Sequence, residues 1–167
     1  MNNELTAKDI RDMEEEIEYR KLVVRPKALE DVKTARAHGD LSENFEYHAA
    51  KKFKNENESR IRYLERMIRT AVVIEDSAGA DEVGINKKVT VYIPEDDEEE
   101  VYSIVSTIRE DSLKHLISIE SPMGKALLHH KAGDRVTVRV SDAYSYEVEI
   151  RKVEPASDAD DAKIRDF

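Results

Sequence analysis

Ala35-Arg36-Ala37-His38-Gly39-Asp40-Leu41-Ser42-Glu43-Asn44 stands between two stretches of one periodicity, and its reading decides the fold. On its N-terminal side apolar residues recur about three or four apart, at Met13, Ile17, Leu22, Leu29 and Val32. On its C-terminal side they recur at Phe53, Ile61, Leu64, Met67 and Ile68. This is the period of an amphipathic helix. Glu, Lys and Arg crowd the remaining positions, as on the solvated faces of a coiled coil. The spacing predicts two helices, over 6–37 and 43–72, each about 45 Å long at 1.5 Å per residue. Neither can bury its stripe alone, and a connection as short as 38–42 predicts an antiparallel α-helical coiled-coil hairpin over residues 1–76, with a functional tip near 36–51. Pro26 removes a hydrogen bond and crowds the preceding turn, which predicts a kink or break there. Gly39 suits a left-handed end to the first helix. Asp40 with Glu43 three residues later matches a capping box opening the second.

Beyond the rod the composition changes. Residues 1–76 hold one of the five Gly and one of the four Pro. After a linker at 77–86 the period becomes two: Val89, Val91 and Ile93, then Val136, Val138 and Val140, then Tyr146, Val148 and Ile150. These are half-buried antiparallel strands, with two more at 102–105 and 116–119. Six acids in the seven residues 94–100 read as a solvated hairpin loop. Ser121 followed by Pro122 reads as an N-cap and first helical position, so one short helix joins a small sheet. The fold class is α+β, with a sheet domain over 87–155 and a frayed acidic tail over 156–167.

The tip carries the one arrangement with chemical content. Asp40 and Glu43 sit about one helical turn apart at the far end of a rod, with no core around them. Carboxylates in that position are hard oxygen ligands suited to Mg²⁺, which usually takes one or two protein carboxylates and completes its shell from water and phosphate. Such a pair is half a metal site and needs a second molecule to complete it. His38 and His48 flank the tip, but two histidines on different helices are more often surface residues than zinc ligands. With no Cys, thiolate metal sites and cysteine nucleophiles are excluded.

Residues 35–44, continuing through Glu46-Tyr47-His48-Ala49-Ala50-Lys51, resemble the signature of the GreA-type transcript-cleavage factors of bacterial RNA polymerase. Ser121-Pro122-Met123-Gly124-Lys125-Ala126-Leu127-Leu128 with Gly133-Asp134 resembles that family's second motif, at the expected separation. The resemblance implies an FKBP-like second domain and a rod that enters the polymerase's secondary channel. It implies that Asp40 and Glu43 help bind a catalytic Mg²⁺ jointly with the polymerase, with none held stably by the free protein. It implies that Arg36 and Lys51 contact the nascent RNA 3′ end. Tyr47 is a candidate for stacking on a base. Ser121, Pro122, Met123, Gly124 and Leu127 would belong to the surface that docks on the polymerase's rim helices. The small basic patch, with Lys52 and Lys54 near Lys51, is closer to the GreA type than the GreB type. Phe45 stands where the family motif usually has a small residue, which predicts altered packing at the tip.

The function expected is therefore a transcription elongation factor, not itself an enzyme, that stimulates the polymerase's intrinsic cleavage of backtracked RNA. The rivals are a channel-binding modulator or inhibitor without cleavage, and a prolyl isomerase, for which the sheet domain lacks the usual aromatic lining. The N-terminal residues carry no signal-peptide pattern and no apolar run approaches a membrane span, so a cytoplasmic monomer is expected. A net charge of -10 opposes free binding to nucleic acid. That charge is uneven: residues 1–76 hold 15 Lys+Arg and 17 Asp+Glu, net -2, while 77–167 hold 12 and 20, net -8. The near-neutral rod is the part able to approach RNA inside a protein channel.

Overall fold

The computed structural model describes residues 3–39, 43–75, 78–156 and 162–166. These form two compact units, one centred on Lys8–Ala71 and one on Val72–Asp166 with Glu4–Ala7. A short strand β1 (Asn3–Leu5) precedes helix α1 (Ala7–Tyr19), a π-helical segment Arg20–Val24, helix α2 (Arg25–Arg36) and helix α3 (Phe45–Arg69). Strand β2 (Ala71–Val73) then pairs with β1 in a two-stranded sheet that the sequence does not announce.

The hairpin is antiparallel, but its seam differs from the apolar pattern. Met13, Ala28, Val32, Ala35, Ile61 and Leu64 are buried. Leu22 and Leu29, read as stripe residues, are exposed by 67% and 48%, and Phe53 by 51%. The π-helical segment accounts for the shift in the first strand. Ala28, Val32 and Ala35 lie 15, 19 and 22 residues beyond Met13, each one more than the 14, 18 and 21 that a heptad seam requires. Arg25 N–H reaches back to the Arg20 carbonyl, the longer π closure, and this wider turn absorbs one residue. It also lies just before Pro26, which cannot donate to the Leu22 carbonyl. Where a kink or break was expected, the helix continues through a π-bulge.

Midway along the seam the packing is polar. Glu16 accepts from Arg20 Nε at 2.8 Å and from Arg60 Nε at 2.8 Å, and Arg20 Nη1 donates to Asn57 Oδ1 at 3.0 Å. Asn57 and Arg60 are 3% and 6% exposed. Burial alone raises the Glu16 pKa, but hydrogen bonds and charge from Arg60 and Arg20 outweigh it and hold the group below its ordinary value of 4.5. A depressed carboxyl contributes stability that is complete above the unfolded pKa and lost as pH falls through the folded one. Glu16→Gln, which removes the negative charge that faces buried Arg60, is expected to destabilise the rod by about 1–3 kcal/mol at neutral pH. Thermal melts followed at 222 nm should show this difference constant above pH 6 or so and shrinking below 4.5.

The second unit is a five-stranded sheet of strands β3 (Lys87–Ile93), β4 (Glu98–Val105), β5 (Leu116–Ser118), β6 (Arg135–Arg139) and β7 (Ser145–Pro155), in the order β5-β4-β3-β7-β6. Helix α4 (Pro122–Leu127) packs against it. Alternating residues Val89, Val91, Ile93, Val136, Val138, Val148 and Ile150 face one core with Met123 and Leu127. The sheet is antiparallel except at its edge, where β5 runs parallel to β4. Three sequence expectations change. The acidic loop is only the turn 94–97, with Asp97 at φ 50; Glu98, Glu99 and Glu100 belong to β4. The linker stretch contributes Val83 and Ile85 to the core. In the tail, Arg165 N–H donates to the Ile108 carbonyl at 2.7 Å, the Arg109 guanidinium donates to the Ala162 carbonyl, and Ile164 is buried, so 162–166 are docked, not frayed. Among the described residues no helix is long and apolar enough to cross a membrane.

Candidate functional site at the hairpin tip

α2 ends at Arg36 and the chain leaves it through Ala37 and Gly39, whose φ of 125° is open to glycine and strained for other residues. The second helix does not begin on the expected Asp40–Glu43 capping box. Its N-cap is Asn44, in extended backbone geometry, whose Oδ1 accepts from Tyr47 N–H at 2.9 Å. The same side chain donates from Nδ2 to the Ala35 carbonyl at 2.7 Å. One amide thereby satisfies an orphan donor at the start of α3 and a carbonyl at the end of α2. The signal for this was present, an Asn directly before a helix, but the acid pair three residues apart drew the assignment away from it.

Glu43 is exposed, and no group among the described residues bonds to it. Asp40, with Leu41 and Ser42, lies outside the described residues. Phe45, in the first turn of α3, is 86% exposed and takes no part in tip packing, contrary to the expectation for a bulky residue there. Arg36 and Tyr47 come together across the tip, the guanidinium 5.6 Å from the ring centroid. A hydrogen bond from Arg36, assisted by the charges of Lys51 and Lys54, holds the Tyr47 phenol below its ordinary pKa. Lys51 lies one turn further along α3, exposed, and with His48, Lys52 and Glu56 it lines an open depression. His38 faces Glu46 at 3.3 Å, and His48 lies against the Tyr47 ring, so the two histidines do not converge. Among the described residues no group of three or more His, Asp or Glu is placed to hold a metal ion. What the described tip offers is an exposed carboxylate at Glu43 and, at Arg36, a cation held over the Tyr47 ring.

The residues expected to dock on a partner divide differently. Ser121 caps α4, its Oγ accepting from Gly124 N–H at 3.0 Å and donating to the Ser118 carbonyl at 2.6 Å. Met123, Gly124 and Leu127 are buried and support the helix from beneath. The surface the helix presents is Pro122 and Lys125, with Ser121 and Ala126 half-buried.

Comparison with known proteins matches both units. Residues 3–73 match the family model described as transcription elongation factor, N-terminal, and residues 77–155 match that described as transcription elongation factor, GreA/GreB, C-term. The transcription elongation factor GreA of Streptococcus pneumoniae serotype 19F is 44% identical over 151 residues, covering 90% of this chain and 94% of its own. That of Streptococcus suis is 45% identical over the same span. Among solved structures, the GreA factor homolog 1 (Gfh1) protein of Thermus thermophilus aligns over 92% of this chain and 99% of its own, with 24% identity and a TM-score of 0.43. With family models over both units and curated relatives above two-fifths identity along nearly its whole length, the chain belongs to the GreA/GreB family of transcription elongation factors.

Proposed function

We propose that this factor acts on bacterial RNA polymerase by presenting the hairpin tip inside the enzyme's secondary channel, where it stimulates the polymerase's own hydrolysis of backtracked RNA. The observation that carries this reading is the Glu43 carboxylate, exposed, with no bond to it among the described residues, and immediately before the Asn44 clamp. A hard, open oxygen donor of this kind fits a divalent cation shared with a second molecule. Glu43 and Asp40 would hold Mg²⁺ jointly with polymerase groups. Mg²⁺ in such a site supplies charge neutralisation at a phosphodiester and a more acidic water.

The chain's own residues would do the positioning. Arg36, held over the Tyr47 ring, is ordered before any ligand arrives and can meet an RNA phosphate at little entropic cost. Lys51 adds a second cation on α3. In this arrangement Tyr47 serves first as the platform for Arg36, and base stacking is left to whichever ring face remains open. The chain contributes ligands and orientation while the bond-breaking site belongs to the polymerase, so the factor is not itself an enzyme. On α4, Pro122 and Lys125 are the exposed positions available for docking on the polymerase rim.

The test is a stalled, backtracked complex of bacterial polymerase given the purified protein. Short 3′ RNA fragments should be released at least about tenfold faster than by polymerase alone, in line with positioned catalytic groups. Release no faster than the polymerase's own, with elongation inhibited, would identify a channel-occupying modulator instead.

A further inference from the structure

Asn44 lies outside the acid pair, yet its amide bonds to both helices at the tip, beside the Arg36–Tyr47 pair. Its Oδ1 accepts from Tyr47 N–H at 2.9 Å and its Nδ2 donates to the Ala35 carbonyl at 2.7 Å. Ala35 is itself buried in the seam. The end of α2 and the start of α3 are therefore joined by this amide as well as by the Arg36–Tyr47 pair. Glu43 immediately precedes Asn44, so the backbone that carries this carboxylate is set by the clamp. Backbone bonds from Ala37 N–H to the Lys33 carbonyl at 3.3 Å and from His38 N–H to the Ala35 carbonyl at 3.1 Å finish α2 on the same side. The Ala35 carbonyl thus accepts from the Asn44 side chain as well as from the backbone that closes α2.

We propose that Asn44 is a positioning residue for the tip carboxylate Glu43: by clamping the end of α2 to the start of α3 it fixes the backbone that carries Glu43, and so sets how well the tip takes up Mg²⁺ in the polymerase complex. This rests on the proposed role of the acid pair. A carboxylate whose backbone anchor wanders must lose that freedom each time it engages a metal, whereas a clamped anchor removes much of it beforehand. The amide is suited to the task because its two ends do opposite things. The oxygen accepts from a helix N-terminus and the nitrogen donates to a helix C-terminus.

Substitution can separate the two bonds. Asn44→Ser keeps an N-cap acceptor for α3 and loses the reach to Ala35. Asn44→Asp also keeps the acceptor, replaces the donor with an oxygen facing a carbonyl, and adds a negative charge that would by itself attract Mg²⁺. Stimulated cleavage of backtracked complexes is measured at saturating factor across a Mg²⁺ titration, together with the factor concentration giving half-maximal effect and the melting midpoint at 222 nm. For both variants the rate at low Mg²⁺ should fall roughly tenfold or more and recover as Mg²⁺ rises, since small displacements of positioned groups carry losses of that order. The half-maximal factor concentration and the melting midpoint should stay near wild type. A wild-type rate throughout the titration overturns the proposal, as does a loss that appears only as weaker occupancy of the polymerase or only as a lowered midpoint. Asp40→Ala/Glu43→Ala run in parallel separates the two levels. If that variant still stimulates cleavage, the function reading fails; if it is inactive while Asn44→Ser is normal, only the clamp fails.

Discussion

Asp40→Ala combined with Glu43→Ala should reduce stimulated RNA release by about two to three orders of magnitude, the loss seen when groups that stabilise developing charge are removed from a reacting centre. The reason is that the described start of α3 does not depend on Glu43. α3 starts on Asn44, whose bonds to Tyr47 and Ala35 survive the substitution, and Glu43 makes no bond among the described residues that its loss would break. Melting midpoint and occupancy of the polymerase should therefore be retained, the latter measured by competition with labelled wild-type factor. If the two acids share one metal, each single variant should cost nearly as much as the pair, because groups that act as a unit are not additive. Undiminished cleavage by the double variant would sink the mechanism.

Gly124→Ala should destabilise the sheet domain by about 3 kcal/mol or more, through overpacking together with lost capping bonds. A Cβ at this position would stand 2.0 Å from the Ser118 carbonyl oxygen and 2.9 Å from Ser121 Oγ. The oxygen cannot yield cheaply. It accepts from both Ser121 N–H and Ser121 Oγ, the contacts that hold the N-terminus of α4. Moving it uncaps the helix, and moving the helix lifts Leu127 and Met123 out of the core they share with Val89, Val91 and Val138. Denaturation followed by tyrosine fluorescence should report the loss, since Tyr92, Tyr102, Tyr144 and Tyr146 all lie in this unit and the chain has no Trp. The helical signal of the rod should melt at an unchanged midpoint. An unaltered tyrosine transition would show that the Ser118 turn relaxes without cost.

Both domains were legible in periodicity, because each element buries one face and the rest of the chain is heavily charged. The errors follow from features that periodicity cannot weigh. Leu22 and Leu29 are apolar at helical spacing and still face solvent, since the seam is filled by the small residues Ala28 and Ala35 and by a charged cluster around Glu16 and Arg60. Periodicity credits large side chains and is blind to an Ala or a buried ion pair. At the tip, a well-spaced acid pair outweighed the neighbouring Asn, although capping is settled by which side chain can reach both helix ends. On α4 a motif read as a docking surface proved to be largely internal, because Gly124 is a requirement of close packing against Ser118. The short pairing of β1 with β2 and the parallel edge of β5 depend on contacts distant in sequence and left no local trace.

The π-helical turn before Pro26 also says where this rod can change length. Loss of one residue within Arg20–Val24 would restore an unbroken heptad count from Met13 to Ala35 and leave the seam facing its partner. The same loss anywhere from Ala28 to Arg36 would turn the distal seam by about 100° and carry the tip residues round with it. A single-codon deletion is thus tolerable in the π-helical turn and ruinous in the one to three turns that follow it, so length variation among related rods should collect at that bulge.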